Sequence, residues 1–130
     1  MSYYIATTIK ADSIESAVGR VLDALKSEGF GVLTDIDIQA TMKAKLGADF
    51  RPYRILGACN PPLAHKALNA EDKIGTMLPC NVVVQSVEGG FEVAAVDPVA
   101  SMAAVENENL AEIAPQVRDK LARVVASLVV

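Results

Sequence analysis

Residues 29–65 read GFGVLTDIDIQATMKAKLGADFRPYRILGACNPPLAH. Gly31–Ile38 alternates, with Val32, Thr34, Ile36 and Ile38 to one side and Leu33, Asp35 and Asp37 to the other, the period-two pattern of a half-buried strand. Gln39–Leu46 follows as a short helical stretch ending at Gly47. Pro52–Cys59 is the next strand, and its Gly57-Ala58 tail leaves room for another backbone or a ligand to come close. Asn60-Pro61-Pro62 then starts a helix over Pro62–Asn69. Asn60 caps it, and a proline sits in the first turn, where its missing N–H costs nothing.

Working outward, Tyr3–Lys10 alternates as a first strand. The helix after it is marked by Asp12 as cap and Glu15 three residues on, a capping-box pattern. Ile14, Ala17, Val18, Val21, Leu22 and Leu25 form one apolar stripe, and Gly29 supplies a left-handed stop. Downstream, Cys80–Val87 and Phe91–Val96 are strands joined by the hairpin signal Glu88-Gly89-Gly90. A short helical piece follows Pro98. Leu110–Val129 keeps helical spacing, and Pro115 inside it means that the helix starts near there or kinks. The order is strand, helix, four strands, helix, with short helical inserts. Two long helices on one face of an antiparallel sheet make an α+β, two-layer architecture. The opposite face carries Tyr53, Ile55, Val83 and Val93, too apolar to stay wet, so an insert helix or a second subunit is expected to cover it.

The 130 residues, 52% of them apolar, make one domain able to bury roughly two-thirds of its unfolded surface. No apolar run reaches the ~18 residues of a membrane span. The N-terminus has neither basic leader nor long apolar region, so no secretory signal is expected. Two cysteines without a scaffold pattern suit a reducing cytoplasm. The net charge of −4 disfavours nucleic acid and anionic membranes. Lys43, Lys45, Arg51, Arg54 and Lys66 against Asp49 alone form a local basic stretch, read as a solvated face with anion binding as the alternative. No P-loop, GxGxxG, GxSxG or HExxH occurs, which leaves nucleotide-dependent and common hydrolytic mechanisms without support.

The only cysteines and the only histidine lie close together: Cys59-Asn60, His65 and Cys80-Asn81. Cys59 ends one strand and Cys80 begins the next, so residues 60–79 should return them to one sheet edge. Three readings stay open. Both thiols are small buried apolar residues; or Cys59, beside a helix N-terminus, is a thiolate with Cys80 as its resolving partner; or Cys59, His65 and Cys80 hold Zn²⁺ or Cu(I), with water, Asp97 or a residue of a second subunit as fourth ligand. Asn60 and Asn81 are read as capping and turn residues. Asp35 and Asp37 share a strand face, as a carboxylate pair would, but mark a solvent side. Arg51 and Arg54 near Tyr53 suit either a carboxylate or phosphate clamp or an ion pair with Asp35, Asp37 or Asp49.

Gly29-Phe30-Gly31-Val32-Leu33-Thr34, Asp37-Ile38, Lys45-Leu46-Gly47, Pro52-Tyr53-Arg54-Ile55-Leu56-Gly57-Ala58-Cys59-Asn60-Pro61, Leu78-Pro79-Cys80-Asn81-Val82 and Asp97-Pro98 together resemble the bacterial and archaeal DUF302 family. The resemblance covers nearly the whole chain. It implies a fold similar to the TATA-binding-protein class, of order β-α-β4-α, and a homodimer. It brings no catalytic residues, and fold likeness does not transfer DNA binding. The resulting expectation is a cytoplasmic homodimer that binds a small ligand near Gly57, Cys59, Asn60, His65, Cys80, Asn81 and Arg54. Its rivals are a thiol-dependent redox or sulfur-transfer protein and a soft-metal protein.

Overall fold

A computed structural model describes residues 2–129. Five strands, β1 (Tyr4–Ile9), β2 (Gly31–Asp37), β3 (Tyr53–Cys59), β4 (Cys80–Val87) and β5 (Gly90–Val96), form one sheet in the order β1-β5-β4-β3-β2. Every neighbouring pair is antiparallel. The helices are α1 (Ile14–Ser27), α2 (Ile38–Leu46), α3 (Pro61–Ala70), α4 (Pro98–Ser101) and α5 (Glu108–Ser127), with a 3-10 helix over Asp72–Met77. The α+β architecture and the element order agree with the sequence reading.

Helix α1 is capped by Ser13, whose hydroxyl accepts from the Ser16 N–H at 3.1 Å. The cap lies one residue after Asp12, and the expected capping box with Glu15 is not formed. Asp and Ser are nearly equal caps, so composition alone does not separate the two positions. Such a cap contributes about 1 kcal/mol. Val21 and Leu25, both fully buried, each contribute roughly 2 kcal/mol, so packing holds the helix more than its cap does. Gly29 ends it at φ 85°. The Phe30 N–H then reaches back to the Leu25 carbonyl at 3.0 Å and Phe30 joins the core.

Ladder pairing decides which side chains share a face. Leu56, Ala58, Cys80, Val82, Val84, Val93 and Ala95 point toward α1 and the second half of α5, where Leu121, Val124 and Val125 close the main core. Val93, expected on the opposite face, pairs with Val84 and is fully buried here. In β2 the register slips between Val32 and Thr34, so Val32 pairs with Ala58 and Thr34 with its neighbour Gly57. Val32 and Thr34 therefore do not share a face as strict alternation predicts. The extra residue of the bulge is Leu33, left 67% exposed.

The other sheet face carries Ile55, Val83 and Ala94 in one row, with Tyr4, Val96 and Tyr53 around them. Helix α2 buries none of its residues, and α3 turns Leu63 and Ala67 toward α5. Ile55, Val83 and Ala94 stay half-buried.

Helix α5 starts at Glu108, capped by the Asn107 side chain, and runs through Pro115. Pro115 has no N–H to give to the Ala111 carbonyl, and the surrounding packing holds the helix through that gap. The half before the proline belongs to a second cluster, in which Leu110, Ile113 and Ala114 meet Leu63, Ala67, Ile74 and Met102. Leu78 and Val117 pack against both clusters.

Candidate functional site

Asn60 is where β3 turns into α3. Its Oδ1 accepts from the Leu63 N–H at 3.3 Å, and its Nδ2 donates to the Glu28 carbonyl at 3.5 Å. It is the one buried polar side chain among the described residues, 9% exposed. One amide thus caps α3 and ties it to the end of α1. Its polar atoms are engaged in the fold, as the capping reading expected.

Between the two apolar clusters lies a cavity of about 270 Å³. Cys59, Asn60 and Cys80 form its sheet side, α3 contributes Leu63 and Ala64, and α5 closes it with Ile113 and Val117. Its walls carry no acid, no base and no hydroxyl; apart from hydrocarbon there are two thiols, the Met102 thioether and the Asn60 amide.

Cys80 is buried and pairs through its backbone with Ala58, the residue before Cys59. The sheet edge thus brings both cysteines to one cavity, as the meander predicted. Burial, reinforced by the charge of a neighbouring Cys59 thiolate, pushes the Cys80 thiol up to about 11. Cys80 is therefore a neutral thiol at neutral pH. Cys59 is half-buried.

His65 does not join them. It is exposed on the outer side of α3, with its Nε2 3.3 Å from the Asn69 amide nitrogen, and it does not line the cavity. Asp97, the suggested fourth ligand, caps α4 through the Val99 N–H at 2.9 Å. Among the described residues no three His, Cys, Asp or Glu side chains are grouped to hold a metal. The Cys59–His65–Cys80 set is not assembled, because one helical turn past the proline start carries His65 to the solvent side.

Asn81 pairs with Gly57 and faces the open side of the sheet, away from Cys80. It lines a separate concavity of about 350 Å³ there with Tyr53, Gln85 and Glu92. Arg54 is taken up by Asp35, with Nε to Oδ1 at 2.7 Å and a second parallel bond. The guanidinium holds the Asp35 carboxyl below the usual carboxylate range, and the carboxylate raises Arg54 in turn. Asp37 caps α2 through the Ala40 N–H. The two aspartates are thus occupied separately and form no acid–base pair. Arg51 bonds Gln85 at 2.9 Å and stacks near the Phe50 and Tyr53 rings. At Gly57 the space is filled from within the chain, by Thr34 and the Pro79 ring.

Sequence reasoning missed the far wall. Ile113 and Val117 read as ordinary stripe residues of the last helix, and nothing in the pattern singles out Leu63. The available signal was that Leu110 and Ile113 extend the α5 stripe past Pro115, beyond what the sheet can cover.

The fold and cavity define an α+β protein with a five-stranded antiparallel sheet and an apolar chamber at one sheet end. The chain belongs to the family described as domain of unknown function DUF302, whose profile matches residues 5–128. It is similar to the crystal structure of an uncharacterized conserved DUF302 protein from Bacillus stearothermophilus, with 28% identity, a TM-score of 0.89, and coverage of 97% of this chain and 98% of that one. No curated protein matches the chain. No helix among the described residues is long and apolar enough to cross a membrane.

Proposed function

We propose that this protein is a non-enzymatic binding protein that holds a small apolar ligand in the cavity beside Cys59 and Cys80. The observation that carries the reading is a chamber of about 270 Å³ with hydrocarbon walls and no general base. An apolar cavity of about 150 Å³ stays dry and takes up benzene, so one of this size rewards a larger apolar guest. Naphthalene titrated against the protein is expected to give saturable amide NMR shifts at Ala64 and Ala114, which line the cavity from α3 and α5. Ala64→Phe, at a half-buried wall position, should fill the chamber and weaken that binding at least about tenfold while leaving the circular dichroism spectrum unchanged. No saturable shift up to the solubility of naphthalene would overturn the reading.

The thiol rival is disfavoured by Cys80, since a resolving cysteine that stays protonated at neutral pH attacks slowly. Two free thiols remain consistent with a reducing cytoplasm as the working compartment.

The open sheet face supports a homodimer. Its row Ile55, Val83 and Ala94 is apolar and only half-buried, and Leu46, Ile36 and Phe50 in or beside β2 and α2 are exposed large apolar residues. Such a face is stabilised by a second copy. Sedimentation equilibrium at micromolar concentration should give a dimer, and Val83→Lys should shift it to monomer. A wild-type monomer under those conditions removes this part of the reading.

A further inference from the structure

We propose that the guest is an amphiphile, bound tail-first: its hydrocarbon end, roughly ten carbons, fills the cavity while its polar head stays in water at the mouth. This rests on the binding reading above and adds the ligand's chemical class.

Three observations converge on it. First, no charged side chain lines the chamber. An ionised group moved inside would lose its hydration with nothing to replace it, so any head must remain outside. Second, two residues of the lining are also among the most exposed apolar side chains of the protein: Leu33 at 67% and Leu68 at 45%. They come from different elements, the β2 bulge and α3, and extend the apolar wall out into solvent. A ligand sealed wholly inside would gain nothing from them, whereas a chain crossing the mouth packs against both. The β2 bulge is what makes Leu33 available, because it adds one residue to the strand and leaves that side chain outside the ladder. Third, the volume sets the length. If six carbons fit about 150 Å³, the chamber of about 270 Å³ holds roughly ten or eleven.

The size limit and the indifference to the head are both measurable. Alkyl glucosides of six to fourteen carbons, kept below their micelle concentrations, are titrated by isothermal calorimetry or NMR. The dissociation constant should tighten about fourfold per methylene at ~0.8 kcal/mol each, until the chain reaches about ten carbons, and then level off. At eight carbons, glucoside, trimethylammonium and carboxylate heads should differ by less than about threefold. Leu33→Ser, on an exposed position, should weaken the alkyl ligands by about threefold or more and naphthalene by less, since naphthalene has no segment that crosses the mouth; an equal loss for both would remove the mouth from the proposal. Naphthalene binding without any chain-length dependence would overturn the amphiphile and leave the cavity reading standing. Failure of naphthalene and of every alkyl ligand would overturn both.

Discussion

Gly90→Ala is expected to cost the protein roughly 3 kcal/mol or more. Gly90 sits at φ 152°, a backbone conformation that other residues rarely adopt, and a Cβ there would press on the Ile9 carbonyl oxygen and lie 3.1 Å from its carbon. Those atoms are backbone within the β1–β5 ladder, where Ile9 pairs with Phe91, so no side-chain rotation relieves the clash. Strand β1 is an edge strand held to the sheet through β5 alone. Relief therefore means pulling β1 away and exposing Ile9, now 5% exposed. A melting temperature lower by on the order of 10 °C is expected. Gly89→Ala is the control: φ is 87° with nothing within 4 Å of a Cβ, so only the left-handed penalty of about 1 kcal/mol applies. Equal melting temperatures for the two variants would show that the Ile9 contact is not what matters.

Gly57→Ala should follow at roughly 2–3 kcal/mol. A Cβ at this buried position would overlap the Thr34 hydroxyl and approach the Pro79 Cγ at 2.7 Å. The two neighbours differ in kind. Thr34 is exposed and can turn its hydroxyl away, whereas the proline ring is closed and must move as a whole. Adding Thr34→Ala should therefore recover less than half of the loss in a urea melt. Full recovery would assign the contact to the threonine and remove Pro79 from the explanation. Because Pro79 also lines the cavity, Gly57 acts on the site through the shape of its wall rather than by touching a ligand.

The parts legible in the sequence are those set by local chemistry. The Asn60-Pro61 helix start, the Gly29 stop and the glycine hairpin all act within a few residues, and each stands where it was expected. The return of Cys59 and Cys80 to one edge follows from a meander and needs nothing else. Misreadings arose where a single residue shifts a phase. The Leu33 bulge reverses the faces of β2 midway, and the β4–β5 register sends Val93 inward. Neither leaves a mark in composition. The cavity was invisible for a further reason: its walls come from segments far apart in the chain, around Phe30, Cys59, Cys80 and Ile113, and the residues that make it are the ones that would otherwise count as core.

Helix α5 spans two cores of unequal size, with seventeen buried residues in one and seven in the other among those described. Its backbone lacks one hydrogen bond between them, at Pro115. The smaller core thus forms a natural unit of partial unfolding: α3, the 3-10 turn and the first half of α5 can breathe open as a group while the sheet and α1 stay closed. A molecule seated in the cavity touches both sides of that division, through Leu63 on one and Ala58 on the other. It would work as a rivet, slowing amide exchange in the smaller unit far more than in the larger. The guest would then secure the joint at Pro115, where the backbone of α5 is one hydrogen bond short.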